Sequence, residues 1–241
     1  MRGVVLAAGQ GQRLRPDTDD LPKTLLPVDG DTTILDIALR NLAAAEVTDV
    51  SVVVGYAAQA IEARVDDLSR RHGLDIHLIH NDRVDWNNAY SLWHARDVYA
   101  DGAILVNGDT VHPGSVQKTL LASPASGILL ATDEVKTLTD EAMKLQCDAD
   151  GAVSLVTKQM PVASAYGEYI GVARLDAAMA EDLTRALETT WRGDPNLYYE
   201  DAFQLLAASG RLRAVPIGKT EWVEVDDHAD LAVARELACR C

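Results

Sequence analysis

The sequence is poor in the features that announce the simplest functions. Its three cysteines, Cys147, Cys239 and Cys241, are an odd number with no CxxC pair, which argues against a disulfide framework and against a zinc site. The expected compartment is therefore reducing and cytoplasmic. Basic residues are also scarce, 22 against 37 acidic ones, giving a net charge of −15 with no Lys/Arg block. Nucleic acid is excluded as the main partner, because phosphate backbones are held by clustered cations. No apolar run approaches the roughly 20 residues that span a bilayer, so no membrane insertion is expected. The apolar opening, Met1 to Gly9, meets Arg13 and Arg15 too soon to serve as a signal peptide. Repeats, low-complexity segments and Pro/Ser-rich linkers are lacking too. At roughly 100 to 200 residues per domain, the 241 residues read as one domain spanning 1–241. Its 48% hydrophobic and 24% charged content is that of an ordinary globular protein.

What is present alternates. Short β-branched runs are separated by longer amphipathic stretches, the signature of βαβ units around a parallel sheet. Buried strands are predicted at Val4–Ala7, Val50–Val54, Ile76–Ile79, Ala103–Val106 and Ile128–Ala131. Thr33 and Asp36 have capping-box spacing at the head of a helix carrying Ile34, Ile37, Ala38 and Leu42. A second helix should run from about Ala57 to Gly73, with Arg70, Arg71 and His72 at its negative end, and a third should carry Tyr90 to Tyr99. His72 and His94 read as helix-surface residues. Near residue 135 the pattern changes. Met143–Cys147 and Ala152–Thr157 flank Asp148-Ala149-Asp150-Gly151 as an antiparallel hairpin, and Tyr169–Ala173 makes another strand. Helices at about 177–189 and 199–209, strands at Leu212–Ile217 and Trp222–Val225, and a final helix complete the chain. The expected architecture is a single α/β domain whose pattern changes at about residue 135, where a small accessory antiparallel sheet begins.

The sharpest feature is Leu6-Ala7-Ala8-Gly9-Gln10-Gly11-Gln12-Arg13-Leu14-Arg15-Pro16, leaving a buried strand, followed by Leu21-Pro22-Lys23-Thr24-Leu25-Leu26-Pro27-Val28. Glycines after a strand let backbone amides approach phosphate oxygens. A dinucleotide fingerprint would need glycine where Leu14 stands, and a Walker loop would need Gly-Lys-Ser/Thr. What remains is a glycine turn with Arg13 inside it and Lys23 beyond it, cations that can converge on a triphosphate. Asn107-Gly108-Asp109 closes a buried strand at the carboxyl edge, where open sheets bind ligands. Trp222-Val223-Glu224-Val225-Asp226-Asp227 closes another.

The stretch from Leu6 to Val28 resembles the signature of the nucleotidyltransferases that join an NTP to a sugar or alcohol phosphate and release pyrophosphate. Asn87-Asn88-Ala89-Tyr90-Ser91-Leu92, Met143-Lys144-Leu145, Lys158, Gly167-Glu168-Tyr169-Ile170-Gly171, Tyr199-Glu200-Asp201-Ala202 and Glu224 to Asp226 resemble phosphocholine cytidylyltransferases and the related phosphonate cytidylyltransferases. The resemblance implies a Rossmann-like, mixed, mostly parallel sheet with helices on both faces, a nucleotide-binding part at about 1–134 and an acceptor-binding part at about 135–241. It further implies that Leu6, Ala7, Ala8, Gly9, Gly11, Gln12, Arg13, Lys23, Asn88, Ser91 and Gly108 bind the nucleotide, that Asp109 and Asp226 hold Mg²⁺, and that Arg13, Lys23, Asp109 and Asp226 are catalytic. Few carboxylates suffice for Mg²⁺, which keeps water and substrate phosphates as its other ligands. Lys158, and less directly Lys144, would grip the acceptor's anionic group.

The partners implied are CTP and a small phosphate or phosphonate such as phosphocholine or aminoethylphosphonate. A homodimer is one open arrangement. Aromatic residues are 5% of the chain, yet Trp191, Tyr198, Tyr199 and Trp222 gather in its last third beside Glu168 and Glu200, material for a cationic acceptor group. The bland alternative is that Tyr198 and Tyr199 open a helix and Trp222 belongs to the core. Competing functions are a sugar-1-phosphate nucleotidyltransferase using UTP or dTTP, against which Gln159-Met160-Pro161 departs from the expected Glu-Lys-Pro, and a non-catalytic nucleotide-sensing subunit, which would not need the full metal set. The closing Cys239-Arg240-Cys241 reads as a frayed terminus rather than a metal site.

Overall fold

The computed structural model describes residues 1–238, so the Cys239-Arg240-Cys241 terminus lies outside the described residues. The first half runs β1 (Arg2–Ala7), β2 (Pro27–Asp29), β3 (Thr32–Thr33), α1 (Ile34–Ala44), β4 (Asp49–Val54), α2 (Ala58–Glu62), α3 (Val65–His72), β5 (Asp75–His80), α4 (Asn88–His94), α5 (Arg96–Tyr99), β6 (Ala103–Asn107) and β7 (Thr110–Val111). There follow α6 (Ser115–Ala122), β8 (Ile128–Asp133), β9 (Lys144–Cys147), β10 (Val153–Thr157), β11 (Gly167–Leu175) and α7 (Ala180–Gly193). The last elements are α8 (Tyr199–Leu206), β12 (Leu212–Pro216), β13 (Val223–Glu224) and α9 (His228–Ala238).

Four parallel strands, in the order β5, β4, β1, β6, form the heart of the main sheet, and the antiparallel β11 extends it from β6. β8 pairs with the far edge of β11, and β12 runs parallel to β8. The β-branched runs are central because helices cover both faces: Val4, Val5, Val50 and Val53 are all buried, as a doubly covered parallel sheet requires. β11 is buried along its whole length and is the hinge of the design. Its last residues pair with β6, while Gly167 and Glu168 pair with Leu145 and Lys144 of β9. The sheet forks there, and the β9–β10 hairpin is the predicted accessory sheet.

α1 starts as its sequence predicts. The Thr33 hydroxyl accepts the Asp36 amide at 3.2 Å, and Asp36 accepts the Thr33 amide at 3.0 Å. The predicted second helix is broken into α2 and α3, and the third into α4 and α5. The break after Glu62 turns α3 so that its basic end closes on Asp36, with His72 Nε2 at 2.9 Å and Arg71 at 3.2 Å. His72 is therefore not a surface residue but packs its ring against a buried carboxylate. Burial would raise the pKa of Asp36, but hydrogen bonds from His72 and Thr33 and the charge of Arg71 hold it well below the carboxylate range.

A third, smaller core matters most for function. Leu14, Leu26, Val28, Val111, Val223, Val225 and Leu231 pack together under α9. Leu14 belongs to the glycine turn and Val225 to the segment after β13, and both are completely buried. Two apolar anchors thus draw together the polar residues beside them, Arg13 and Asp226.

Candidate active site

The carboxyl ends of β1, β5 and β6 open into a cleft of about 240 Å³ that reaches across the sheet fork to α8. At the β1 end, Leu6, Ala8 and Gly9 form the floor. Gly11 has φ +61, and a Cβ there would sit 2.9 Å from the Lys23 Cβ, so the turn can carry only glycine without displacing the lysine. The turn is fixed by its carbonyl, which accepts the Leu14 amide at 2.9 Å and the Thr18 hydroxyl at 2.8 Å. Gly108 lets β6 meet β1 closely: a Cβ would lie 2.4 Å from the Leu6 carbonyl oxygen.

Asp109, Glu224 and Asp226 converge opposite this turn. β13 pairs antiparallel with β7, setting Glu224 against Thr110, and both Glu224 and Asp226 then project to one side, two residues apart. Carboxylate oxygens of Asp109, Glu224 and Asp226 lie within 4.8 Å of one another. Lys23 Nζ stands between two of them, 3.0 Å from Asp109 Oδ2 and 3.1 Å from Asp226 Oδ1, and Arg13 reaches Asp226 Oδ2 at 2.8 Å. Burial opposes the charge of Lys23, yet the two aspartates override it and raise its pKa. Burial would likewise raise Asp226, but Lys23 and Arg13 hold it down. Glu224 is exposed on the cleft wall, where loss of hydration among its neighbours and the charges of Asp109 and Asp226 push its pKa up. Asp109 Oδ1 is buried without a hydrogen-bond partner. An orphaned carboxylate oxygen beside two further carboxylates suits a hard divalent cation such as Mg²⁺.

The remaining expected nucleotide residues divide by location. Asn88 and Ser91 line the cleft with Arg13. The Ser91 hydroxyl accepts a hydrogen bond from Asn81 Nδ2 at 2.9 Å, and Asn88 Oδ1 accepts the Tyr199 amide at 2.9 Å. Ala7 points into the core, and Gln12 is exposed, its amide hydrogen-bonded to Gln10. Gly108 shapes the floor without lining it.

The same cleft is also lined by Lys158 and Glu200, with Trp86, Tyr169 and Tyr198. Lys158 Nζ lies 5.3 Å from the centre of the Tyr198 ring. Glu200 is 5% exposed, and its Oε2 has no hydrogen-bond partner. Burial pushes its pKa up to about 7. Behind it, the Tyr199 hydroxyl lies 2.8 Å from Asn107 Oδ1 and 3.1 Å from the Tyr169 hydroxyl, and burial raises both phenols well above their usual range.

Other expected acceptor residues lie elsewhere. Lys144 is fully buried, and its ammonium donates to the carbonyls of Thr139, Asp140 and Ala142 at 3.3, 2.7 and 3.0 Å. Trp222 donates its indole N–H to Asp133 at 2.7 Å on the far side of β8, beneath Lys136, and Glu168 pairs with that same Lys136 at 3.6 Å. Tyr199 is core. Trp191 stands one layer back, its ring centre 5.8 Å from that of Trp86, which is the ring that meets the cleft. Trp86, Asn81 and Val84 carried no sequence signal, since they lie in an irregular segment where periodicity is silent. Glu224 was not among the expected site residues; its signal in the sequence is the i, i+2 spacing from Asp226, which puts both carboxylates on one side.

The chain belongs to the MobA-like NTP transferase domain family, whose profile matches residues 3–208. It is 31% identical over 240 residues to CMP-5'-(3-aminopropyl)phosphonate synthase of Streptomyces rubellomurinus, covering 95% of this chain and 37% of that protein. Over 106 residues it is 31% identical to the choline-phosphate cytidylyltransferase of Streptococcus pneumoniae, covering 44% of this chain and 43% of that one. The chain thus spans less than half the length of the first and matches less than half of the second. The solved inositol-1-phosphate CTP transferase of T. maritima superposes with a TM-score of 0.84 at 21% identity, over 99% of this chain and 95% of that one, which establishes a shared fold. Among the described residues, no helix is long and apolar enough to cross a membrane.

Proposed function

We propose that the chain is a Mg²⁺-dependent cytidylyltransferase that transfers CMP from CTP to a small phosphate or phosphonate bearing a cationic nitrogen, releasing pyrophosphate. The observation that carries this reading is that one cleft is lined by two sets of residues of unlike chemistry. One set offers cations and metal-type carboxylates for a triphosphate. The other offers Lys158 for an anionic group and, close by, the unpartnered Oε2 of Glu200 with the rings of Trp86, Tyr169 and Tyr198 for a cation. The cytidylyltransferases among the similar proteins support the choice of CTP.

An acceptor oxygen attacks the α-phosphorus in line, forming the new P–O bond as the bond to pyrophosphate breaks. The nucleophile is already anionic, so no residue needs to take a proton from it. The residues therefore act by alignment and charge. Arg13 and the amides of the glycine turn hold the leaving pyrophosphate, and Lys23 offsets charge at the α-phosphate. Asp109 and Asp226, with Glu224 beside them, would hold Mg²⁺, which supplies neutralisation of the phosphate oxygens. Lys158 orients the acceptor oxygen.

The test is pyrophosphate release from CTP, UTP, dTTP, ATP and GTP against phosphocholine, aminoethylphosphonate, aminopropylphosphonate, inositol 1-phosphate and glucose 1-phosphate. Turnover should need CTP and a nitrogen-bearing acceptor. Preference for glucose 1-phosphate with UTP or dTTP would replace this reading with the sugar-phosphate one.

A further inference from the structure

The ion pairs of Lys23 bear on how the metal enters. Lys23 Nζ sits within hydrogen-bonding distance of oxygens on both Asp109 and Asp226, at 3.0 and 3.1 Å, and these carboxylates, with Glu224, are the metal-type cluster. One ammonium thus bridges two of the three groups that would coordinate the ion. The Lys23 side chain is only 12% exposed, so its pairs are shielded from screening, whereas Arg13, on the outer oxygen of Asp226, is 66% exposed and held weakly.

We propose that Lys23 competes with the divalent cation for Asp109 and Asp226, so that the metal binds well only together with a triphosphate that draws Lys23 and Arg13 onto its own oxygens. Lys23 and Arg13 pair with Asp109 and Asp226 and leave only Glu224 of the cluster without a cation, so a bare divalent cation meets a site already largely compensated. A polyphosphate supplies a second set of anionic oxygens beside the glycine turn, within the same cleft. The two cations can then move to it, and the carboxylates are released to the metal, each positive charge exchanging one anionic partner for another. Lys23 is thereby both the phosphate ligand and the group that keeps the bare metal out. The inference rests on the metal-dependent transferase reading, but not on which base or acceptor is used.

The test is direct Mn²⁺ binding to the protein without nucleotide, followed by the loss of the free-ion electron paramagnetic resonance signal. Wild type should bind weakly. Lys23→Gln, which removes one positive charge next to the ion, should bind about tenfold more tightly or better. Lys23→Arg, which keeps the charge, should remain within a few-fold of wild type. Asp109→Asn placed in the Lys23→Gln background should abolish the gain and so locate the ion. Equal Mn²⁺ affinity in wild type and Lys23→Gln overturns the proposal, as does a gain that survives Asp109→Asn. Thermal melts check that each variant is folded. Should Lys23→Gln fail to fold, Arg13→Gln, changed at an exposed side chain, should bind Mn²⁺ roughly two- to fivefold more tightly, and no gain overturns the proposal. None of these arms uses CTP, so a mistaken base or acceptor leaves them readable.

Discussion

The backbone amide of Val225 donates to the carbonyl of Asp109 at 2.9 Å, joining the end of one strand to the end of another 116 positions further along the chain. This bond continues the β7–β13 ladder to the position where the carboxylates are needed. Asp109 is held by the rigid main sheet, and Asp226 is held by Asp109's own backbone together with the buried Val225. The relative position of the two carboxylates therefore depends on a short ladder and a small apolar core.

Because that geometry is set by backbone and core, removing a carboxylate should harm chemistry more than folding. Asp109→Asn and Asp226→Asn are expected to lower kcat by about 10² to 10³, the scale for losing one preorganised electrostatic element. Melting temperatures should stay near that of the parent. Pyrophosphate release with and without EDTA is the measurement, and full turnover in EDTA would rule out metal dependence.

Phosphate contacts carry no base identity. If Arg13 and Lys23 both engage the triphosphate, Arg13→Ala and Lys23→Ala should reduce kcat/KM for every accepted nucleotide by a similar factor. The effect should be larger for Lys23, whose side chain is 12% exposed against 66% for Arg13. A loss confined to one base would place these residues in the base pocket instead.

The outcome of reading the sequence depended on whether a residue's role followed from strand ends or from side-chain neighbours. Gly9, Gly11, Arg13, Asp109 and Asp226 sit where buried runs stop, and the carboxyl edge of a parallel sheet is a place that periodicity can locate. Trp222, Trp191 and Tyr199 failed as cleft residues for a different reason. Composition grouped them, but Trp222 bonds to Asp133 at the end of β8, Tyr199 is buried against Tyr169 and Phe203, and Trp191 backs Trp86. Alternation shows that Lys144 faces inward; it does not show that the space inward of β9 is filled by the carbonyls of Thr139, Asp140 and Ala142. The split of the second helix was likewise invisible, because the contacts that accompany it, Arg71 and His72 on Asp36, are tertiary.

Lys144 and Lys158 should accordingly separate stability from acceptor binding. Lys144→Met strands three carbonyls that an ammonium now satisfies, and charged hydrogen bonds of this kind are worth about 1.5–3 kcal/mol each before relaxation. A marked drop in melting temperature is expected, with the KM of the surviving enzyme for acceptor little changed. Lys158→Met should do the opposite, raising acceptor KM at nearly constant melting temperature. Parallel melts and acceptor titrations decide it, and an acceptor KM defect specific to Lys144→Met would return that lysine to the site.

Glu200 links acceptor recognition to pH. Its pKa stands at about 7 because burial disfavours the carboxylate, and only the ionised form attracts a cationic acceptor. With a primary-amine phosphonate, kcat/KM should therefore rise as pH climbs through about 7 and level off above it. Part of any such rise belongs to the acceptor's own phosphonate, so the diagnostic quantity is the difference between the parent enzyme and Glu200→Gln. The variant should lose about 10- to 100-fold in acceptor kcat/KM at pH 8, the scale of one charged hydrogen bond, and much less at pH 6, with the KM for CTP unchanged. Stability should move the other way. A carboxyl whose folded pKa lies above its unfolded value binds more protons when folded, so its contribution to stability is present below about pH 4.5 and is lost as pH rises through about 7. Glu200→Gln should thus raise the melting temperature relative to the parent at pH 8 and have little effect at pH 4.5. An acceptor defect equal at pH 6 and pH 8, together with no gain in stability at pH 8, would show that Glu200 does not meet the acceptor as a buried carboxylate.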